Sequence, residues 1–141
     1  MMRKLFLIVL LASLSCVTVS LSAQTLRNTS GSSIGKVESD GTVRNASGSR
    51  IGRIERDGTI RNSSGSKRGH IDSDGVIRDA SGSRIGRIES DGTVRDKNGS
   101  QMGRVGQDGM VRNSSGSSIG KAESVDPRAA AIVFFFGYLL M

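Results

Sequence analysis

The chain has 141 residues, 20 Lys and Arg against 13 Asp and Glu, a formal net charge of +7, one Cys, one His and no Trp. That length holds one small domain and little else. With one cysteine, disulfide frameworks and cysteine-rich metal sites are excluded.

Arg3 and Lys4 precede the apolar run "LFLIVLLASLSCVTVSL" and the small residues of "SLSAQ". Residues 1–23 therefore read as a secretory signal peptide cut between Ala23 and Gln24, although Leu21 is large for its place before the cut. Cys16 would leave with it. Lipidation of Cys16 is the competing reading, but Ser13, Leu14 and Ser15 fit a lipoprotein pattern poorly. Without Arg3 and Lys4 the chain keeps 18 basic residues against 13 acids, a net charge of +5. Anionic lipid, polysaccharide or nucleic acid could meet such a surface, yet the two signs are interspersed, which suits solubility.

From residue 24 to 124 one 17-residue phrase recurs, as in "SDGTVRNASGSRIGRIE". Aligned on Asp-Gly, the copies are 23–39, 40–56, 57–73, 74–90, 91–107 and 108–124, with no insertion, the mark of one supersecondary unit stacked or set in a ring. Three glycine columns hold 17 of the 19 glycines, so glycine is positional here. In the second copy a three-residue loop Arg56-Asp57-Gly58 sets Ile54 against Ile60 and Glu55 against Thr59, which matches apolar residues across the hairpin. A second loop, Ala46-Ser47-Gly48, sets Val43 against Ile51 and Asn45 against Ser49. Ile51 and Ile54 are three apart, so Gly52 is expected at a bulge or corner. Arg68 stands in the Ile51 column, with its stem expected along the core and its charge in solvent, the alternative being that this hairpin is frayed. The predicted fold is all-β: six 17-residue repeats forming bent antiparallel hairpins in a pseudo-symmetric ring or fan.

The three apolar columns supply only 17 residues, counting Ala122, so the apolar tail 129–141 is expected to cover or plug the core. As a helix it would be about 20 Å long, short of a bilayer core of about 30 Å. Asp126 suits an N-cap and Pro127 the first helical position, while "IVFFF" would equally suit a strand. The domain plan is thus a signal peptide at 1–23, a repeat domain at 24–124 and a covering segment at 125–141.

The stretch "IGKVESDGTVRNASGSRIGRIE", the leader ending "SAQ" and the ending "VDPRAAAIVFFF" together resemble the five-fold beta-flower proteins of Bacteroidota. The resemblance spans residues 24 to about 136. It implies a small exported protein whose hairpins radiate about a pseudo-symmetry axis, and it carries over no activity and no functional residue. The chain has five Asp-Gly hairpins but six Ser-Gly turns, which leaves five-fold and six-fold arrangements open and suggests that the terminal strands near Leu26 and Ile119 close the ring together.

Reactive chemistry is sparse. His70 occupies a column otherwise filled by Lys36, Arg53, Arg87, Arg104 and Lys121 and reads as surface variation. Carboxylate pairs such as Glu55 with Asp57 recur in several copies, whereas a catalytic site is normally made once. Calcium is the alternative use for Asp40, Asp57, Asp74, Asp91 and Asp108, but each turn offers one or two carboxylates where six to eight oxygen ligands must converge. No catalytic, cofactor-binding or metal residue is therefore assigned. Arg27, Arg44, Arg61, Arg78, Arg95 and Arg112 are the candidate anion-binding set, against the alternative that each pairs with the acid across its hairpin, Arg61 with Glu55 for instance. Sequons at Asn28, Asn45, Asn62, Asn98 and Asn113 read as by-products of the turn formula. The repeats contain no aromatic residue, which removes the stacking platform of sugar and single-strand nucleic-acid binders.

The expectation is an exported, non-enzymatic structural or interaction protein without cofactor, in the periplasm or at the surface of a Gram-negative cell, with itself or envelope components as partners and nucleic acid disfavoured. The alternative is membrane association through 129–141; a weaker one is an anion-binding module on the Arg column. An enzyme would need a site assembled from the divergent stretches Lys67 to His70 and Asp96 to Gln107.

Overall fold

The computed structural model describes residues 24–141; the expected signal peptide and Cys16 lie outside the described residues. The repeat region forms β1 (Thr25–Arg27), β2 (Ser33–Val37), β3 (Thr42–Asn45), β4 (Arg50–Ile54), β5 (Thr59–Asn62) and β6 (Lys67–Ile71). It continues as β7 (Val76–Asp79), β8 (Arg84–Ile88), β9 (Thr93–Asp96), β10 (Gln101–Val105), β11 (Met110–Asn113) and β12 (Ser118–Glu123). Each strand pairs antiparallel with its chain neighbours, and β1 pairs with both β2 and β12, so the sheet closes into a barrel with no free edge. The terminal strands do close the ring together, with Leu26 opposite Ala122.

The Asp-Gly hairpins follow the expected three-residue loop. Ile54 faces Ile60, the Glu55 N–H donates to the Thr59 carbonyl at 2.8 Å, and Gly58 sits at φ 95°. That left-handed conformation is what glycine alone adopts cheaply after a type I turn. At the other rim Asn45 and Ser49 are bonded as expected, the Asn45 N–H donating to the Ser49 carbonyl at 2.9 Å. The expected pairing of Val43 with Ile51 is corrected: Val43 lies opposite Gly52 and Arg44 opposite Arg50. Ile51 is the extra residue of a bulge, which shifts the register by one and turns Gly52, not Ile51, toward Val43.

This bulge changes the reading of the Ile51 column. Ile51, Ile85, Met102 and Ile119 are only partly buried beside the core, and Ile34 and Arg68 are exposed. Arg68 therefore occupies a rim position and not a core one, and β6 keeps the same register as its counterparts. The inner belt comes instead from Val43, Ile60, Ile77, Val94 and Val111, each fully buried, with Leu26 at 1% exposure. Val37, Ile71, Ile88, Val105 and Ala122 complete it.

The tail fills the barrel. Ser124, at φ 56°, turns the chain out of the wall; α1 (Pro127–Phe135) and a 3-10 turn (Gly137–Leu140) follow. Asp126 is the N-cap as expected, its Oδ1 accepting from the Arg128 N–H at 2.8 Å, with Pro127 in the first turn. Ala130, Ala131 and Ile132 have no exposure and Phe136 has 2%. The helix lies against β10 and the 3-10 turn against β4, β5 and β6. Helix and not strand is the right outcome for "AIVFFF", because a barrel without free edges offers no ladder to another strand.

The glycine column faces this plug. A Cβ at Gly86 would stand 2.5 Å from Phe136 Cζ, one at Gly103 2.6 Å from Phe135 Cζ, and one at Gly120 2.6 Å from Phe134 Cε1. Gly52 meets Leu140 in the same way at 2.7 Å, whereas a Cβ at Gly69 would be in ordinary contact with Leu139, at 3.5 Å. The column is thus both the flank of a bulge and the seat of the tail.

Candidate functional site: the outer arginine wall

The outer face of the barrel is built from two basic columns that the pairing sets side by side. Lys36 faces Arg44, Arg53 faces Arg61, His70 faces Arg78, Arg87 faces Arg95, Arg104 faces Arg112, and Arg27 faces Lys121. Like charges directly opposite in a ladder are unfavourable. In four of the five Asp-Gly hairpins a carboxylate from the start of the loop offsets them. Arg44 Nε donates to Glu38 Oε1 at 2.6 Å, Arg61 Nε to Glu55 Oε1 at 2.8 Å, Arg78 Nε to Asp72 Oδ2 at 3.0 Å and Arg95 Nε to Glu89 Oε1 at 2.5 Å. Across the β1–β12 seam Arg27 Nε lies 3.2 Å from Glu123 Oε1.

Each of the six arginines also reaches toward the opposite rim. Arg44 Nη1 donates to the Gly48 carbonyl at 3.0 Å and Arg112 Nη1 to that of Gly116 at 3.1 Å, and the other four do likewise. The candidate anion-binding arginines are therefore brought into one band, but five of the six are already matched by acids of the chain itself. Arg112 is the exception, because Gly106 stands where Glu38, Glu55, Asp72, Glu89 and Glu123 stand in the other copies. The signal was present in the sequence: Gly106 is one of the two glycines outside the three columns.

The remaining polar residues serve the turns. Asp40, Asp57, Asp74, Asp91 and Asp108 each turn Oδ1 back to accept from the N–H two residues on, at 2.9 to 3.2 Å. The bond from the Thr59 N–H, helped by the Thr59 hydroxyl, holds the Asp57 carboxyl below its ordinary value, and Thr42 and Thr93 do the same for Asp40 and Asp91. At the other rim Asn45 Oδ1 accepts from the N–H groups of Ser47 and Ser49 at 3.1 and 3.0 Å. Asn28, Asn62 and Asn113 repeat this bond pattern, so these sequons are turn chemistry, whereas Asn98 occupies the Ser47 place and donates its N–H to Asp96. Among the described residues no group of three or more His, Cys, Asp or Glu could hold a metal. His70 lies in the basic band with Nε2 3.6 Å from Asp72 Oδ1.

Two recesses open at the Asp-Gly mouth on either side of the helix start, with volumes of about 740 and 300 Å³. Asp126 and Arg128 line both, and Arg128 Nη2 donates to the Ser73 carbonyl at 3.0 Å, tying the tail to the rim where it enters. At the far mouth Tyr138 is half exposed; its partial burial, with Asp79 nearby, raises its phenol above the ordinary value. The divergent stretch Lys67 to His70 keeps the ordinary strand geometry, and Asp96 to Gln107 contributes the Val105-Gly106-Gln107 wall of the larger recess.

The family model described as "5-fold beta-flower protein" matches residues 23–139, barrel wall and plug together. The chain belongs to the five-fold beta-flower family. In this beta-flower the five Asp-Gly hairpins are β2–β3, β4–β5, β6–β7, β8–β9 and β10–β11, and the seam between β12 and β1 stands where a further one would complete the circle. No curated protein and no solved structure matches the chain.

Proposed function

We propose that this beta-flower is an exported, non-enzymatic structural or interaction protein of the cell envelope. The observation that carries the reading is the use made of its polar side chains: the same carboxylates, amides and guanidiniums meet their own turns and ion pairs in copy after copy. Such a wall is a rigid scaffold whose chemistry is spent on shape. The basic start, apolar run and small residues of 1–23 support export. Burial of Ala130, Ile132 and Phe136 inside the ring supports a self-covered domain over a tail placed in a bilayer, since withdrawal would empty the core. No helix among the described residues is long and apolar enough to cross a membrane.

The test is the intact mass of the protein from soluble and membrane fractions of its native cells, with cross-linking in the same cells. A soluble form beginning at Gln24, cross-linked to itself or to envelope components, is the expected result. A form extracted only by detergent, or one retaining residues 1–23 in the cytoplasm, would overturn it.

A further inference from the structure

We propose that the β10–β11 hairpin holds an oxyanion site, in which a carboxylate or phosphate group of a ligand takes the place that the chain's own glutamate takes in the neighbouring hairpins. The inference rests on the interaction reading above and names the chemistry of one ligand group. The β4–β5 hairpin is the template: Arg53 faces Arg61 across the ladder, and Glu55 Oε1 lies 2.8 Å from Arg61 Nε. The β10–β11 hairpin repeats every part but the acid. Arg104 faces Arg112, so their Cα atoms are about 5 Å apart, and Arg112 Nη1 keeps its bond to the Gly116 carbonyl.

Gly106 supplies no carboxylate, and among the described residues no acid pairs with Arg112. Lys121, opposite Met110 on the next strand, adds a third cation beside it. Arg104 also lies near Asp91, but so does Arg53 near Asp40 in the template, and there Arg61 still takes its glutamate. Both Arg104 and Arg112 are exposed, so an incoming group reaches them directly. A guanidinium presented with Nε free and Nη1 anchored is pre-organised for an oxyanion, and the two flanking cations favour a group carrying more than one negative charge.

The substitution Gly106→Glu would supply the missing acid from within. Gly106 is not in the left-handed region, and a Cβ there meets first the Asp108 side chain, at 2.7 Å. Four other copies carry glutamate two places before the same aspartate or, at the seam, at the equivalent end of β12. The experiment is an NMR titration of the arginine Nε–Hε resonances of the purified protein with pyrophosphate and, separately, with citrate. The Arg112 resonance should move along a saturable curve that weakens with added salt, while that of Arg61 stays in place. Gly106→Glu should weaken the Arg112 response by up to about fivefold, the upper end of the effect expected from one exposed charge pair.

Should that variant fail to fold, Glu55→Gly should create a second responsive arginine at Arg61. Response to pyrophosphate alone assigns the site to phosphate groups, and response to citrate alone to carboxylates. Equal, unsaturable shifts at all six arginines, or an unchanged Arg112 response in Gly106→Glu, would overturn the site. Cross-linking partners recovered equally by Gly106→Glu would sink this site and leave the interaction reading standing.

Discussion

The wall and the plug of this molecule are built on opposite plans. The wall repeats one formula around a closed ladder, while the plug occurs once and has no internal symmetry. They meet at the glycine column, where five equivalent positions receive five different side chains: Leu140 at Gly52, Leu139 at Gly69, Phe136 at Gly86, Phe135 at Gly103 and Phe134 at Gly120. A symmetric wall can accept an asymmetric plug because these five copies each present a bare glycine at the same place, and the tail distributes different groups among them. Close packing then makes each part depend on the other.

Removing the plug should therefore have the largest effect. Deleting residues 125–141 leaves the buried belt of Val43, Ile60, Ile77, Val94 and Val111 facing an empty centre. The loss exceeds the roughly 5–15 kcal/mol by which domains are stable, so the truncated protein should show no cooperative thermal transition by circular dichroism. A retained sharp melt would mean that the wall stands alone. A single cavity is milder: Ile132→Ala, at a fully buried position, should cost about 2–5 kcal/mol in urea unfolding.

The two glycine series sharpen the comparison. At Gly86 a Cβ would meet both Phe136 Cζ at 2.5 Å and the Arg95 carbonyl at 2.6 Å. Gly86→Ala should then cost about 1–3 kcal/mol through overpacking. At Gly48, φ 87°, nothing lies within 4 Å, so the alanine variant bears only the left-handed penalty of about 1–2 kcal/mol. A double variant with Phe136→Leu should recover part of the Gly86→Ala loss and none of the Gly48→Ala loss, because only the former arises at the plug.

Much of the wall was legible in the sequence because turn chemistry is local. The Asp-Gly spacing and the apolar match fixed the loop and the Ile54–Ile60 register, and Asp126-Pro127 marked the helix start. The Ser-Gly rim was read one residue out at Val43, because a bulge is an extra residue whose place depends on what packs behind it. Here glycine, not isoleucine, must face the Arg61 carbonyl of the next strand and Leu140 of the tail, and neither lies within residues 40–56. The ion pairs were foreseen in pattern for Arg61 and Glu55. The exception at Arg112 was missed since it lies in one absent side chain, which shows only when all copies are compared at that column.

Acid should loosen the two rims before the core. Asp40, Asp57 and Asp91 are held below their ordinary value of 3.8 by bonds from the threonine two residues on, and Asp79 by the Ser81 hydroxyl. A group depressed in the folded state contributes stability that is complete above its unfolded pKa and is lost as pH falls through the lower folded value. The melting temperature should accordingly be level above about pH 5 on this account and fall progressively below about pH 4. Asp57→Asn, which keeps the turn acceptor without the charge, should flatten part of that fall; an unchanged acid limb in the Asp57→Asn variant would remove the turn aspartates from the explanation.

The smallest effect belongs to the outer ion pairs, and there the hairpins differ from one another. Arg61 and Glu55 are 36% and 28% exposed at their side chains, so water and salt screen most of their attraction. Glu55→Gln should cost about 0–1 kcal/mol, and less in 0.5 M salt. Yet the acid also offsets the like charges of Arg53 and Arg61, which face each other across the ladder. Relief of that repulsion, and not the pair alone, sets the sign at the exceptional hairpin: Gly106→Glu should raise stability by up to about 1 kcal/mol at low salt, and saturating oxyanion should reproduce that gain in the unsubstituted protein. If salt abolished the Glu55→Gln loss but left the Gly106→Glu gain intact, the gain would come from replacing a flexible glycine, and the electrostatic account of the β10–β11 hairpin would fail.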